Sequence, residues 1–308
     1  MTTNDATGDS CALKQAYACC GSVVAAHDEN FPVASLLLPP AMRPHVAAVY
    51  AFARIADDFS DERSWSDAER HHLINDWLAR LHRCGDKAAT AETCTQLDDR
   101  DQIFLALGET IRRCRLPLAL FEDLLSAFRQ DITTHRYDTW EALLEYCQRS
   151  ANPIGRLVLR IAGHRDDALD RASDSLCTAL QLTNFWQDLG RDWRRGRLYL
   201  PAEDWRRCGA RETDLEQGCL TDSWRCALER AAARTRVLYG QGRRVCDGVG
   251  GRLGLELRLT WLGGIRMLRR LESARFDVFT TRPTLGAADV PFLVWNALTW
   301  GFANHQNP

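Results

Sequence analysis

Two segments of the chain carry carboxylates at helical spacing inside otherwise apolar sequence. Polar side chains recur there at intervals of three and four residues, which places them on one face of a helix. The first stripe consists of Tyr50, Arg54, Asp57 and Asp61. The second stripe consists of Gln181, Asn184, Asp188 and Asp192. Each pattern predicts carboxylates that enter what would otherwise be a hydrophobic core.

Carboxylates in such a place indicate a particular chemistry. An ionised carboxylate is costly to bury without compensation, so two such stripes facing each other would form an acidic cage that requires cations. Oxygen ligands favour a hard ion such as Mg²⁺, and the pattern is typical of a metal-dependent enzyme that acts on a diphosphate.

The alternative for the first stripe is a helix that enters solvent at Asp57. The second stripe favours the functional interpretation, because Gln181 and Asn184 are uncommon core residues unless they have partners. Asp61 and Asp192 are the members that solvated helix ends would explain most easily.

Two flanking segments add candidate substrate contacts. Several arginines of the segment 191–201 would lie beside the second stripe and could grip a diphosphate; an exposed basic loop is the alternative. In the segment 146–156, Tyr146 could offer a hydroxyl and Gly155 could permit close helix approach. Taken alone, Tyr146 would be an ordinary core aromatic.

Composition excludes several functional classes. The 308 residues are 45% hydrophobic and carry a formal net charge of −2, so no nucleic-acid partner is expected. Twelve cysteines form no C-x-x-C pair, which indicates free thiols and a cytoplasmic protein. No apolar run approaches the ~20 residues of a membrane span. No Gly-x-Gly-x-x-Gly motif is present, so NADPH is not expected.

The rest of the chain must position these residues. Periodicity of three to four residues dominates and predicts an all-α protein, with residues 1–10 as a flexible N-terminus and residues 11–308 as a single domain. The predicted helices are Cys11–Ala26, Arg43–Phe59, Ser66–Arg83, Arg100–Cys114, Pro117–Asp131, Thr139–Ser150, Pro153–Ala162, Asp166–Trp193, Thr221–Val245 and Gly254–Ser273.

With these motifs in view, the chain resembles the squalene and phytoene synthase family from about His27 to about Leu271. Arg54-x-x-Asp57-x-x-x-Asp61 is similar to the first aspartate motif of that family. The second stripe, followed by the segment 197–201, is similar to the second motif. The resemblance implies an all-helical isoprenoid-synthase fold around a central cavity, with Mg²⁺ bridging aspartates and diphosphate.

The resemblance also implies roles for individual residues. The expected metal ligands are Asp57, Asp61, Asp188 and Asp192. The expected catalytic residues are Tyr50, Arg54, Tyr146, Asn152 and Asn184, of which Tyr50, Tyr146 and Asn152 are candidates for positioning a water molecule. The expected substrate-binding residues are His27, Asn30, Phe31, Asp58, Gln181, Gln187, Arg191, Arg197 and Tyr199.

Departures from the family pattern narrow the range of substrates that we expect. Members that condense two prenyl diphosphates usually carry a His-Ser-x-Ser-Phe segment, where this chain has His27-Asp-Glu-Asn30-Phe31. Gln187 stands where an arginine often precedes the motif aspartate. Both changes remove phosphate contacts, and the chain looks most like the bacterial hydroxysqualene synthase branch of hopanoid biosynthesis, which acts on presqualene diphosphate.

Two other functions remain open at this point. One is a synthase that condenses prenyl diphosphates to presqualene diphosphate, squalene or phytoene, and the other is a non-catalytic relative that binds a prenyl lipid or a partner protein. Because the substrate is long and apolar, peripheral contact with the inner face of the cytoplasmic membrane is expected through Trp295, Trp300 and Phe302. Association with other enzymes of the squalene and hopanoid pathway is a further expectation.

Overall fold

The computed structural model describes residues 5–26, 37–85, 98–218 and 220–300. Within these ranges the regular structure is helical, and the only strand-like feature is one isolated bridge between Arg136 and Leu198. The all-α prediction is confirmed. Contacts divide the chain into two compact units, which are described in turn.

The first unit comprises Met1–Thr133 and Arg156–Arg165. Its helices are α1 (Asp5–Ala25), α2 (Arg43–Asp61), α3 (Asp67–Gly85), α4 (Asp99–Cys114) and α5 (Leu118–Asp131), to which the end of α7 (Asn152–Ile161) is added. Helix α2 is central, because it packs against α1, α3, α4 and α5. The apolar sequence around the first stripe predicts this central position.

Aromatic side chains form the core around α2. The Phe52 ring lies 5.4 Å from Phe121 and 5.9 Å from Trp77, whose ring is in turn 4.5 Å from Phe104. The Trp77 indole donates a hydrogen bond to the Phe52 carbonyl at 3.3 Å, so its polar atom is satisfied inside the core. This packing holds α2 rigidly and thereby positions the first stripe.

The second unit comprises Thr134–Gly155 and Asp166–Pro308. After α6 (Trp140–Ser150) and the start of α7, its helices are α8 (Asp167–Arg194), α9 (Ala202–Arg207), α10 (Glu212–Glu216), α11 (Asp222–Gly248), α12 (Gly251–Ser273) and α13 (Val290–Leu298), with a 3₁₀ turn at Ala287–Asp289. Helix α8 packs against α6, α11 and α12.

Buried polar contacts join α8 to α11. The Trp186 indole donates to the Thr235 hydroxyl at 2.9 Å, and the hydroxyls of Thr183 and Tyr239 are also 2.9 Å apart. These pairs satisfy polar atoms that would otherwise be costly to bury. They fix the rotation of α8 about its axis, and therefore the side on which the second stripe lies.

The ten predicted helices are all present, with ends displaced by at most a few residues except at α1, which begins at Asp5 rather than Cys11. Helices α9, α10 and α13 are not among the predictions, because short helices contain too few turns for periodicity to register. The ten cysteines in the described ranges are free thiols, as expected. Among the described helices, none combines the length and apolar character needed to cross a bilayer.

Candidate functional site

The first stripe lies on the partly exposed side of α2. Nine residues of α2 are buried, including Phe52, whereas Tyr50, Arg54 and Asp57 are half-buried. Asp61 is the last residue of α2 and is exposed. The stripe therefore has the single-faced arrangement that its spacing predicts.

Charge compensation in the first stripe comes from its own helix. Arg54 Nη2 donates to Asp58 Oδ1 at 2.7 Å, while Nη1 lies 3.9 Å from Asp57 Oδ2. Burial and the neighbouring Asp61 raise the pKa of Asp57 to about 7, although Arg54 acts in the opposite direction. Asp131 at the end of α5 adds to the rise. Helical spacing does not reveal Asp131, because it lies on a different helix.

The second stripe repeats this arrangement on α8. Gln181, Asn184 and Asp188 are half-buried, and from Leu176 to Gly190 the remaining side chains are buried apart from two. Such a row of polar side chains on a helix packed on its other sides is a candidate ligand-binding face. The two stripes thus lie on the central helix of one unit and on the longest helix of the other.

Asp188 is bound by an arginine from far along the chain. Arg282 Nε donates to Asp188 Oδ1 at 2.5 Å and Nη2 donates to Oδ2 at 3.0 Å, which makes the pair bidentate. The two residues are 94 positions apart. Arg191 Nη1 lies 3.6 Å from the same carboxylate. Arg282 is a functional candidate that no local motif indicates.

Asp192 is not the solvated helix end that its position suggests. It is half-buried, and burial together with Asp188 raises its pKa to about 7. Arg197, Arg195 and Arg191 act in the opposite direction. Asp192 therefore shares its environment with Asp188 as a pair of repelling carboxylates.

Gln187 has a structural partner, which corrects its prediction as a substrate ligand. Its side chain is 2% exposed and donates to the Pro283 carbonyl at 2.7 Å. A Cβ atom at Gly190 would lie 2.9 Å from the Val278 carbonyl oxygen, so only glycine permits this approach. Both contacts hold the segment 277–286, which carries Arg282, against α8.

The basic segment after the second stripe is anchored rather than loose. Gly196 makes the turn with φ +77°, and Arg136 Nη1 donates to its carbonyl at 2.5 Å. Arg191 and Arg195 are exposed, whereas Arg197 is half-buried. Arg191 and Arg197 both lower the pKa of Asp192, so their guanidinium groups lie beside the second stripe.

Aromatic rings cluster next to the second stripe. Phe185 follows Asn184 on α8 and stacks on Tyr199 with ring centres 3.8 Å apart. Tyr146 lies 6.2 Å from Tyr199 and 5.5 Å from Tyr137. Tyr146 and Tyr199 are 4% and 8% exposed, respectively. They belong to a buried aromatic cluster beside α8.

Asn152 and Gly155 join α7 to α8. Asn152 is buried, and its Oδ1 accepts a hydrogen bond from Thr178 at 2.9 Å, so the structure assigns it packing rather than water positioning. A Cβ atom at Gly155 would clash with the Ser173 hydroxyl, which confirms the predicted close helix approach. The predicted residues His27, Asn30 and Phe31 lie outside the described residues.

The residues present fit a magnesium site assembled with a ligand. In the described ranges, no three acidic, histidine or cysteine side chains converge as a complete metal cage. In each stripe, burial and the repulsion of a neighbouring carboxylate instead raise the pKa of one aspartate, which is Asp57 in the first and Asp192 in the second. Magnesium is commonly held by one or two carboxylates together with phosphate oxygens and water, and a cation would relieve the repulsion in each pair.

Comparison with known proteins places the chain in a family. A family model described as squalene/phytoene synthase matches residues 24–289. The chain belongs to this family. A hydroxysqualene synthase of Zymomonas mobilis is 37% identical over 215 residues, which cover 68% of this chain and 67% of the relative. A hydroxysqualene synthase of Rhodopseudomonas palustris is 33% identical over 80% of each chain.

A solved structure of the same family supports the fold. Squalene synthase HpnC from Alicyclobacillus acidocaldarius superposes with a TM-score of 0.77 at 38% identity, covering 86% of this chain and 95% of the other. The squalene/phytoene synthase family consists of isoprenoid synthases that act on prenyl diphosphates, so the chain is an enzyme of this type. The predicted fold class and family are confirmed.

Proposed function

We propose that the chain is a hydroxysqualene synthase, which converts presqualene diphosphate and water into hydroxysqualene and diphosphate. The observation that carries the proposal is the carboxylate pair repeated on α2 and α8, in each of which at least one member is half-buried and has a raised pKa. The Zymomonas mobilis and Rhodopseudomonas palustris relatives described above bear the same name. The altered segment at His27–Phe31 and the glutamine at position 187 further support a substrate with one diphosphate.

The four carboxylates Asp57, Asp61, Asp188 and Asp192 are the proposed metal ligands. The chemistry that bound magnesium supplies is charge stabilisation of the departing diphosphate. Arg191 and Arg197 bind phosphate oxygens through their guanidinium groups. Arg282 holds Asp188 through its bidentate pair and positions that carboxylate.

In the proposed reaction, the bond between the substrate carbon and the diphosphate oxygen breaks, and the electron pair leaves with diphosphate. The resulting cyclopropylcarbinyl cation rearranges to the open chain. Ring faces stabilise positive charge, and the Phe185–Tyr199 stack with Tyr146 provides such faces beside α8. Water then forms the new carbon–oxygen bond and loses its proton to solvent.

Of the three candidates for positioning the water molecule, Tyr50 is the one that we propose. Tyr50 is half-buried on the stripe that carries Asp57, whereas Tyr146 and Asn152 are buried. The sequence of steps uses no hydride, so NADPH is not expected. Exclusion of bulk water by the packed helices would leave the bound water as the main nucleophile.

The test incubates purified protein with MgCl₂ and either presqualene diphosphate or farnesyl diphosphate, followed by mass spectrometry of the organic extract. An alcohol formed from presqualene diphosphate supports the proposal, and its formation should be abolished by EDTA and strongly reduced in an Asp188→Asn variant. Conversion of farnesyl diphosphate to a cyclopropyl diphosphate would instead indicate a condensing synthase. Turnover of neither substrate would indicate a prenyl-lipid or partner-binding protein.

Peripheral membrane contact is proposed through α13. Five of its large hydrophobic residues are exposed, with Trp295 the most exposed at 68%. Trp300 is buried instead and donates to Asp247 at 2.7 Å, which corrects its predicted membrane role, and Phe302 lies outside the described residues. Such a face would insert into the bilayer boundary. The proposed location is the inner surface of the cytoplasmic membrane, where association with other squalene and hopanoid pathway enzymes would occur.

Vesicle sedimentation tests this contact. A Phe292→Ser/Trp295→Ser variant should bind phospholipid vesicles more weakly than the parent protein. Val237→Ser removes an isolated exposed hydrophobic residue on α11 and is the matched control. Equal binding by both variants and the parent would contradict a membrane role for α13.

A further inference from the structure

A cavity of about 470 Å³ at the start of α2 is lined by an unusual set of charges. Its volume lies within the range of ~300–1,000 Å³ that small-molecule sites occupy. Four arginines and no carboxylate are among its lining residues, and these arginines are Arg113, Arg115, Arg160 and Arg165. All of the lining residues belong to the first unit. The cavity is thus strongly cationic.

Hydrogen bonds to carbonyl groups at or near helix ends account for only part of the bonding capacity of these arginines. Arg165 donates at 2.8 Å to the carbonyl of Cys114, the last residue of α4, which is an ordinary way to satisfy a helix-end carbonyl. Arg160 donates at 3.1 Å to the His164 carbonyl, which lies beyond the end of α7. Each of these contacts uses one of the five donors of a guanidinium group. Within the described ranges, no carboxylate forms an ion pair with Arg113, Arg115 or Arg165. The nearby Glu109 is paired with Arg112 at 2.7 Å.

The start of α2 adds positive potential to the same cavity. Ala41, Met42 and His45 line it, Met42 is the N-cap of α2 without a side-chain capping hydrogen bond, and the first turn contains no acidic residue. The N-terminus of a helix carries a partial positive charge that favours anions. The cluster of arginines and the uncapped helix start are independent observations that favour the same kind of ligand.

His45 forms a rigid and neutral part of the wall. Its Nδ1 lies 2.9 Å from the Thr110 hydroxyl and 3.1 Å from the Tyr17 hydroxyl, so the ring orientation is fixed. Burial and the nearby Arg113 lower the pKa of His45. The ring therefore remains able to hydrogen-bond an anion without adding charge near pH 7.

We propose that this cavity is a second anion site, which binds a phosphate-bearing ligand away from the aspartate stripes. Guanidinium groups match phosphate oxygens in geometry and charge. Four of them in one cavity suit a multiply charged anion such as a phosphate better than a singly charged carboxylate. His45 and Asp57 are separated by twelve residues of one helix, or about 18 Å at the rise of an α-helix. The ligand class is a diphosphate or phosphate monoester, either free or as a lipid headgroup.

The test is a calorimetric titration with sodium diphosphate in magnesium-free buffer containing EDTA, at constant ionic strength. An Arg113→Gln/Arg115→Gln variant should bind diphosphate at least about tenfold more weakly than the parent, because two charge-assisted contacts are removed. The control is Arg83→Gln/Arg269→Gln, which changes the net charge equally at two exposed residues outside the cavity. The control should change affinity less than about twofold.

A second arm distinguishes the source of the phosphate. Co-sedimentation with vesicles of phosphatidic acid in phosphatidylcholine is measured for the same two variants. A loss of binding confined to the cavity variant supports the proposal. If the loss is seen with diphosphate, the ligand is a free phosphate compound, and if it is seen with vesicles, the ligand is a lipid headgroup. Equal effects of the two variants on both probes, or no effect of either, would overturn it.

Folding is checked by thermal unfolding before binding is compared. Arg113 and Arg115 are exposed, so both variants should unfold close to the parent temperature. Arg115 adopts a left-handed conformation with φ 51° at the end of α4. If the double variant is destabilised, the single Arg113→Gln variant replaces it, with Arg83→Gln as its control and the same expected direction.

Discussion

The two aspartate stripes differ in how their negative charge is compensated. In the first stripe, Arg54 lies one helical turn before Asp57 and Asp58 and pairs with Asp58 at 2.7 Å. In the second stripe, Asp188 receives a bidentate pair from Arg282, which is 94 positions away. The two stripes have similar spacing, and in both an arginine compensates carboxylate charge. In the first stripe that arginine is a neighbour on the same helix, whereas in the second it is brought in by the tertiary structure.

The difference has an energetic consequence. A pair between residues four apart on a helix forms with little ordering of the chain and contributes only ~0.3–0.5 kcal/mol. The pair of Arg282 with Asp188 requires the segment 277–286 to lie against α8, which Gln187 and Gly190 make possible. The second stripe is consequently coupled to the fold of the C-terminal region, whereas the first is largely independent of it.

The largest expected effect tests whether the stripes are equal partners in catalysis. Asp57→Asn and Asp188→Asn should each lower kcat/KM for presqualene diphosphate by about 10²–10³-fold, because each removes a group that stabilises developing charge. Steady-state kinetics at saturating Mg²⁺ measure the effect. Asp138→Asn, at an exposed aspartate outside the stripes, is the control. Near-normal turnover by only one of the two variants would show that its stripe is dispensable.

The next prediction compares the two arginines. Arg282→Met should lower the free energy of unfolding by about 1–3 kcal/mol, because it leaves the half-buried carboxylate of Asp188 with only the longer 3.6 Å contact to Arg191. Arg54→Met should cost less than about 1 kcal/mol, because its pair is more exposed. Urea unfolding in EDTA measures both.

A double variant sharpens the comparison of the arginines. Adding Asp188→Asn to Arg282→Met should recover part of the lost stability, because the second substitution removes the carboxylate charge that lost its bidentate partner. Equal costs for the two single variants would contradict the distinction between local and tertiary compensation.

The pH dependence should be shared by the two stripes. The pKa of Asp57 and that of Asp192 are raised to about 7, from 3.8 in the absence of these surroundings. Between these values the folded protein binds more protons than the unfolded chain, so both groups make the metal-free protein less stable as pH rises from about 4 to 7. Asp57→Asn and Asp192→Asn should each remove part of that decline.

Thermal unfolding in EDTA between pH 5 and pH 8 measures this difference. Above pH 7, each variant should have a higher melting temperature than the parent protein. Near pH 5, this difference should disappear. Magnesium should reverse the advantage at pH 8, because it binds the ionised carboxylates of the parent. A pH-independent difference between variant and parent would contradict the raised pKa.

A substitution at Gly190 tests how the segment that carries Arg282 is held against α8. Gly190→Ala should destabilise the protein by about 1–2 kcal/mol, because the new methyl group would meet the Val278 carbonyl and displace the segment 277–286. Gly240→Ala is the control, since no atom lies within 4 Å of its new Cβ. That helical substitution should be neutral or stabilising by up to ~1 kcal/mol. Equal unfolding midpoints would show that Gly190 is not required for the close approach.

The local pattern predicts most of the helices but few of the contacts that complete the site. The period of three to four residues identifies α2 and α8 together with their polar stripes, because a helix face is defined by neighbours within one or two turns. Helices α9 and α10 span six and five residues, too few for that signal. Asp131 and Arg282 are invisible to it, because each reaches a stripe from another part of the chain.

The sequence by itself determined the helical class, the two stripes and the family resemblance, since these depend on residue type and short-range spacing. Only the tertiary structure decided that Gln187 is buried under Pro283, that Asp192 is half-buried and that Trp300 is packed while Trp295 is exposed. The physical reason is that burial and ion pairing depend on which distant segment covers a helix face. Helical periodicity specifies the face, and the packed chain specifies what covers it.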